Sequence, residues 1–312
     1  MRALLVVNPA ATTTSARTRE VIVHALASDH DLEVVHTTHR GHAEQLAEQA
    51  RSAGLDAVFT LGGDGTVNEV VNGLLTKGPG EDVPLLGPVP GGSANVFVRA
   101  LGLPSDPVEA TGALLEAIGD KRTRTIGLGT AQHDGELRWF AFNAGVGLDA
   151  EIIESMERQR ATGVVATPGR YVATAITHFF GRTDRAAAAL TVRRPGLPDV
   201  SGVHYALIQN TAPWTFLGPV RLDPSPRASF DTGLDLFAPR SMTVLTSLRY
   251  LRRMMLRAGD PSPGPRLLAL HDQSQLVLEA SHPMPLQVDG DSCGSVTSVL
   301  LRSVPAALEV LA

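Results

Sequence analysis

Cysteine is almost absent: Cys293 is the only one in 312 residues. No disulfide can form within the chain, so the expected compartment is a reducing one, the cytoplasm. Long apolar runs are also missing, and none is long enough to cross a bilayer as a helix. The opening MRALLVVNPA has one basic residue and an apolar run too short for a signal peptide. There is no excess of positive charge: 27 Lys and Arg against 32 Asp and Glu give a formal net charge of −5, which argues against nucleic acid as a partner. No G-x-x-x-x-G-K-[ST] stretch occurs, so a P-loop of that type is excluded. Internal repeats and low-complexity tracts are absent as well.

What is present is a globular composition, 43% hydrophobic, at a length that favours two domains. RALLVV reads as a strand buried on both faces, TSARTREVIVHALAS as a helix, LEVVHT as a strand and HAEQLAEQARSAG as a helix ending at Gly54. DAVFTL, TVNEVVNGLLTKG, VPLLGPVP and ANVFVRALGLP repeat the strand-to-helix step. This alternation predicts an α/β domain with a doubly wound parallel sheet, whose ligands lie beyond the C-terminal strand ends. From about residue 123 strand-like runs follow one another, interrupted by helical stretches near 149–180 and 242–259. That predicts a mostly β second domain. The expected boundaries are 1–122 and 123–301, with 302–312 as a segment that could return to the first domain.

The densest local signal is TLGGDGTVNEVVNGL at 60–74. Gly62, Gly63 and Gly65 allow a ligand to approach the backbone, and a helix expected to begin near Thr66 aims free N–H groups at it. Phosphate suits such a place. Asp64 makes sense there if Mg²⁺ bridges it to phosphate, or if it accepts a proton or hydrogen bond from the substrate side. A bland reading competes: a tight turn, with Thr66 and Glu69 at capping-box spacing. A second loop, VPGGSANVFVRALGLP at 89–104, places Gly92, Ser93 and Asn95 at another strand-to-helix step. Two such loops on neighbouring strands would form one cradle.

Together, LGGDGTVNEVVNGL and PGGSANVFVRALGLP resemble the diacylglycerol kinase catalytic-domain family, in particular its soluble bacterial branch related to diacylglycerol and sphingosine kinases. VVNPAA at 6–11, TTHRGHAEQLAEQA, FNAGVGLDAEII at 142–153 and QVDGD at 287–291 extend the resemblance through most of the chain. It implies a Rossmann-like ATP domain, a β-sandwich lipid-substrate domain and an active site in the cleft between them. It implies ATP contacts at Gly62, Gly63, Asp64, Gly65, Thr66, Val67, Asn68 and Ser93, and at Thr37; Asn8, Gly92 and Asn95 complete the candidate nucleotide set. Asp291 is implied as the base that deprotonates a lipid hydroxyl, with Asp64 and Asp289 as the other catalytic candidates. A structural Mg²⁺ is implied at Asp231, Leu234 and Asp235. The family usually has threonine at the position of Ser93, glutamate at that of Asp291, and paired acids where Asp231-Thr232 stand here. ATP and Mg²⁺ are the implied cofactors, and diacylglycerol heads the acceptors.

MTVLTSLRYLRRMMLRAGD at 242–260 spaces Arg249, Arg252, Arg253 and Arg257 along one helical side, and Leu245, Leu248, Leu251 and Met255 along another. A peripheral helix on the inner face of the cell membrane and a helix packed on the β domain are equally good readings. Trp214 and Phe216 could line a lipid pocket, although core packing is the commoner role. A homodimer is among the assemblies left open. GDSCG at 290–294 matches the G-x-S-x-G of a serine hydrolase, but SVTSVLLR after it reads as strand and no histidine follows. His36, His39 and His42 read as solvated or capping residues before a zinc site. NAD kinase, which shares a GGDGT turn, and a non-catalytic lipid- or nucleotide-binding regulator are the rival functions.

Overall fold

A computed structural model describes residues 1–11, 14–162, 167–181, 183, 188–218, 220–256, 259 and 261–312. The chain divides into two compact units, one formed by Met1–Leu128 with Pro305–Ala312 and the other by Gly129–Val304.

The first unit alternates strand and helix, with two helices in succession after its fourth strand. β1 (Arg2–Val7), α1 (Ala16–Ala27), β2 (Asp31–His36), α2 (His42–Ser52), β3 (Ala57–Gly62), α3 (Asp64–Leu74), β4 (Leu85–Pro90), α4 (Val96–Ala100) and α5 (Pro107–Gly119) lead into β5 (Thr123–His133). β2, β1, β3 and β4 lie side by side in that order, all parallel. The tail of the chain adds itself beyond β4, where Val310 pairs with Leu86, again in parallel. β3 is apolar and buried along its whole length because helices cover both its faces. Phe59, Leu5, Ile22, Leu26 and Leu114 share one core cluster. Each such fully buried side chain stabilises the unit by roughly 1.5–3 kcal/mol. On the other face α2 and α3 approach so closely that a Cβ on Gly73 would lie 2.1 Å from the Glu44 carbonyl oxygen.

The second unit contains β6 (Glu136–Phe140), β7 (Asn143–Val146), α6 (Leu148–Ala161), α7 (Pro168–Gly181), β8 (Leu190–Arg194), β9 (Leu197–Val203), β10 (Ala206–Gln209), β11 (Thr215–Leu217), β12 (Val220–Leu222), β13 (Leu234–Pro239), α8 (Val244–Leu256), β14 (Leu267–Gln273), β15 (Gln275–Val288) and the part of β16 (Asp291–Leu311) up to Val304. Its pairings are antiparallel, in the order β14, β13, β10, β7, β15, β16. Alternate residues of these strands, among them Val146, Ile208, Leu236, Leu286 and Val288, form its core.

The α/β class and the strand-rich second half match the sequence reading. Two local expectations are corrected. LRWFAFNAGVG is two strands, since the N–H groups of Ala141, Phe142 and Asn143 bond a carboxylate instead of a neighbouring strand. α3 begins at Asp64, before Thr66, and Thr66 with Glu69 forms no capping box. The Glu69 carboxylate instead accepts the Gly41 and Ala43 N–H groups at 2.9 and 3.2 Å, at the start of α2. α5 is an addition to the elements expected above, with Asp106 at its N-cap and Pro107 in its first turn as start signals.

Candidate functional site

The strand order reverses direction between β1 and β3: β1 leads outward to β2, whereas β3 and β4 lie on its other side. Ligands of open α/β sheets bind at such a switch point, beyond the C-terminal strand ends. Asn8 ends β1 there. Its Nδ2 donates to Thr66 Oγ1 at 3.0 Å, its Oδ1 accepts the Ala10 N–H at 2.9 Å, and its own N–H donates to the Leu61 carbonyl at 2.9 Å. Asn8 therefore fastens the exit of β1 to the first turn of α3. Thr66 and Asn68 are buried in that helix beside Val67.

α3 starts from Gly63 with no side-chain cap. Among the described residues, the N–H groups of Asp64 and Gly65 have no protein acceptor. An uncapped helix start has partial positive charge and suits an anion. The second glycine loop lies against it: β3 and β4 pair in register up to Gly62 and Pro90, and the Gly91 N–H donates to the Gly62 carbonyl at 2.7 Å. A Cβ on Gly92 would come within 2.7 Å of Gly63 Cα. The absence of side chains at Gly63 and Gly92 thus lets two backbones touch. Asn95, at φ 47°, closes the loop by accepting the Gly92 N–H at 2.9 Å and donating to the Gly92 carbonyl at 2.7 Å. Ser93 stands exposed at the tip.

Asp64 has a partner within the fold. Its Oδ1 accepts the Phe97 N–H at 3.1 Å, so a carboxylate of the first loop caps the short helix of the second. Burial pushes its carboxyl above the ordinary range, against the pull of the Val96 and Phe97 N–H groups and the Arg99 charge. Thr37, at the end of β2, donates its N–H to the Val7 carbonyl at 2.9 Å and is half-buried. His39 and His42 stack at 4.9 Å, and His42 Nδ1 accepts the Thr38 N–H at 3.1 Å; both serve the turn before α2.

The acidic turn lies in the second unit. Asp289 and Gly290, both at positive φ, make a two-residue hairpin loop between β15 and β16, with Val288 paired to Asp291. Asp289 is buried. Its Oδ2 accepts the Ala141 N–H at 2.7 Å, and its Oδ1 accepts those of Phe142 and Asn143 at 3.0 and 2.9 Å. It anchors that segment. Asp291, half-buried, is held through Oδ2 by Arg138 Nη2 at 2.9 Å. β16 continues through Ser292 as strand, so the helix that a hydrolase elbow requires is not there.

Asp231 pairs with Ser229, at the Ser229 Oγ to Asp231 Oδ2 distance of 3.3 Å. Asp235 is buried, and its Oδ1 accepts from His271 Nδ1 at 2.7 Å and from the Asp272 N–H at 3.1 Å. Leu234 is buried at the start of β13. Among the described residues no three His, Cys, Asp or Glu side chains converge as a metal set. A structural Mg²⁺ held by Asp231, the backbone carbonyl near Leu234 and Asp235 would compete with His271 for Asp235 Oδ1.

Asp149 was missed by sequence reasoning. It sits in the first turn of α6, buried, and its Oδ2 accepts from Gln287 Nε2 at 2.7 Å. Burial pushes its carboxyl up to about 7. Below about pH 4 the folded and unfolded chains both hold this proton. Between there and pH 7 the unfolded chain loses it first, so stability falls as pH rises, by up to about 1.4 kcal/mol per pH unit. Asp149→Asn keeps an acceptor for Gln287 and removes this slope. Urea midpoints at pH 5 and pH 7 should therefore show the variant gaining on the parent at the higher pH. Parallel midpoints would reject the assignment.

Two glycine loops in contact beside an uncapped helix start, at the switch point of a parallel sheet, make a place suited to an anion such as phosphate. Residues 2–131 match the family model of the diacylglycerol kinase catalytic domain. The chain is 29% identical over 280 residues to a "probable lipid kinase YegS-like" of Chromohalobacter salexigens, covering 88% of this chain and 82% of that one. It is 44% identical over 72 residues to a diacylglycerol kinase of Bacillus subtilis, 23% of each protein. A solved putative diacylglycerol kinase from Bacillus anthracis superposes with a TM-score of 0.75 at 22% identity, covering 99% of this chain and 97% of that one; it bears on the fold alone.

Proposed function

We propose that the protein is an ATP-dependent lipid kinase that moves the γ-phosphoryl group to a lipid hydroxyl, with diacylglycerol as the acceptor. The observation that carries this reading is the contact between the two glycine loops beside the uncapped start of α3. Phosphoryl transfer depends on positioning and charge stabilisation, which such a cradle supplies. Asp64, the carboxylate of the first loop, would hold a Mg²⁺ brought with the nucleotide, which would offset phosphate charge, since this ion takes one or two carboxylates plus substrate phosphates instead of a full protein cage.

Asp291 is assigned the proton. The acceptor oxygen forms its bond to Pγ as the bond from Pγ to the bridging oxygen breaks, ADP leaves, and the hydroxyl proton passes to Asp291. Arg138 Nη2 donates to Asp291 Oδ2 at 2.9 Å and orients the carboxylate. Asp291→Asn keeps the shape and removes the acceptor. Transfer to detergent-solubilised diacylglycerol should fall about 10²–10⁴-fold with ATP affinity little changed, and Asp291→Glu should stay active. Undiminished transfer by Asp291→Asn would place the base elsewhere.

A further inference from the structure

α8 is inside out for a packed helix. It rests on the second unit through Tyr250 and the buried Met254, beside Leu207, Phe237 and Leu267. Its longer apolar residues face outward: Leu245 is 76% exposed, Leu248 58% and Leu256 61%, with Leu251 and Met255 also exposed. Leu248, Leu251 and Met255 recur at three- and four-residue steps, so they form one stripe. Arg249 and Arg252 are exposed beside it. Arg257, grouped with them from the sequence, lies outside the described residues.

A pocket of about 320 Å³ opens at the flank of the same helix. Arg249 and Arg253 of α8 and Arg266 of the following loop line it, with the hydroxyl-bearing Thr246, Tyr250 and Ser262. Arg253 Nη2 donates to the Gly259 carbonyl at 3.3 Å, and the Tyr250 hydroxyl donates to the Arg266 carbonyl at 2.9 Å, which fixes the pocket wall. No carboxylate is among its described lining residues, and α8 contains no Asp or Glu. In a chain of net charge −5 this is a local concentration of positive charge.

We propose that α8 and this arginine pocket are a docking site for an anionic phospholipid surface, the pocket receiving a head-group phosphate while the leucine stripe enters the acyl boundary. Three guanidiniums beside the Thr246 and Ser262 hydroxyls suit a phosphodiester, and Arg binds phosphate with planar, paired N–H groups. An apolar stripe flanked by Arg is the pattern of a helix lying in a membrane interface. A second copy of the chain is a poorer occupant, because a two-fold contact through α8 sets the same arginine-rich patch against itself.

Vesicle sedimentation tests this without ATP, so its failure leaves the phosphoryl-transfer reading standing; that reading is tested on detergent-solubilised lipid. The full chain should sediment with phosphatidylcholine vesicles containing phosphatidylglycerol and stay in solution with phosphatidylcholine alone. Arg249→Gln and Arg253→Gln should each weaken binding about fivefold. Leu245→Asn, Leu248→Asn and Leu251→Asn combined should abolish it, with thermal melting unchanged because all three are exposed. A matched control replaces Val172, Ile176 and Phe180, the exposed stripe of α7, with Asn and should leave binding intact. The proposal is overturned if the α8 variants sediment like the parent, if the α7 variant alone loses binding, or if light scattering shows a dimer that the α8 leucine variant dissolves.

Discussion

Replacing Gly92 with Ala is expected to lower phosphoryl transfer by at least about 10²-fold. The added Cβ would lie 2.7 Å from Gly63 Cα and 3.1 Å from Asn95 Oδ1. The first of these is backbone, so relief requires the two loops to separate. That shift displaces the donors around the phosphates, and misplacement on the ångström scale is enough for a loss of this size. Overpacking at one such position typically destabilises by about 1–3 kcal/mol, so the fold should survive and Mg²⁺·ATP binding should weaken. Gly112→Ala is the control: nothing lies within 4 Å of its added Cβ, in the middle of α5. It should keep activity and gain up to about 1 kcal/mol of stability from helix propensity. Near-normal transfer by Gly92→Ala would show that the loop contact does not position the nucleotide.

Asp289→Ala should be among the most destabilising single changes in the second unit. Three N–H groups, those of Ala141, Phe142 and Asn143, lose their acceptor together. Each buried unsatisfied donor costs about 1–3 kcal/mol, and breaking a charged buried network costs roughly 3–5 kcal/mol. Asp289→Asn retains one carbonyl acceptor and should cost less. Urea unfolding of both variants checks the order. A cost below about 1 kcal/mol for the alanine variant would mean that the segment holds its path without Asp289, and would return this residue to the catalytic candidates.

What could be read from the sequence was what is encoded locally. Glycine clusters, strand-to-helix alternation and the apolar runs of β1 and β3 each lie within a dozen residues, and the α/β architecture with its two loops followed from them. Roles that depend on distant chain segments were not readable. Glu69 has capping-box spacing to Thr66, yet its partners are Gly41 and Ala43 on another helix. QVDGD offers Asp289 as a catalytic candidate, but it binds N–H groups about 150 residues earlier in the chain. The burial of Asp149 comes from the strands that close over it and cannot be seen in FNAGVGLDAEII. The outward stripe of α8 was visible as a pattern, but only the packing of Tyr250 and Met254 decides which side faces inward. α5 is the exception: its Asp-Pro start is a local signal.

The central claim is that the glycine cradle holds ATP for transfer of its terminal phosphoryl group to a lipid. Its most direct test is to incubate the protein with Mg²⁺ and a total lipid extract, in parallel with ATP labelled at the γ- and at the α-phosphate, and to count label in the organic phase. Label should enter the lipid fraction from γ-labelled ATP alone, should comigrate with phosphatidic acid when diacylglycerol is the added acceptor, and should be nearly lost with Gly92→Ala. Absence of lipid-borne γ-label from wild-type protein that binds Mg²⁺·ATP would contradict the claim and leave a nucleotide-binding protein without kinase activity.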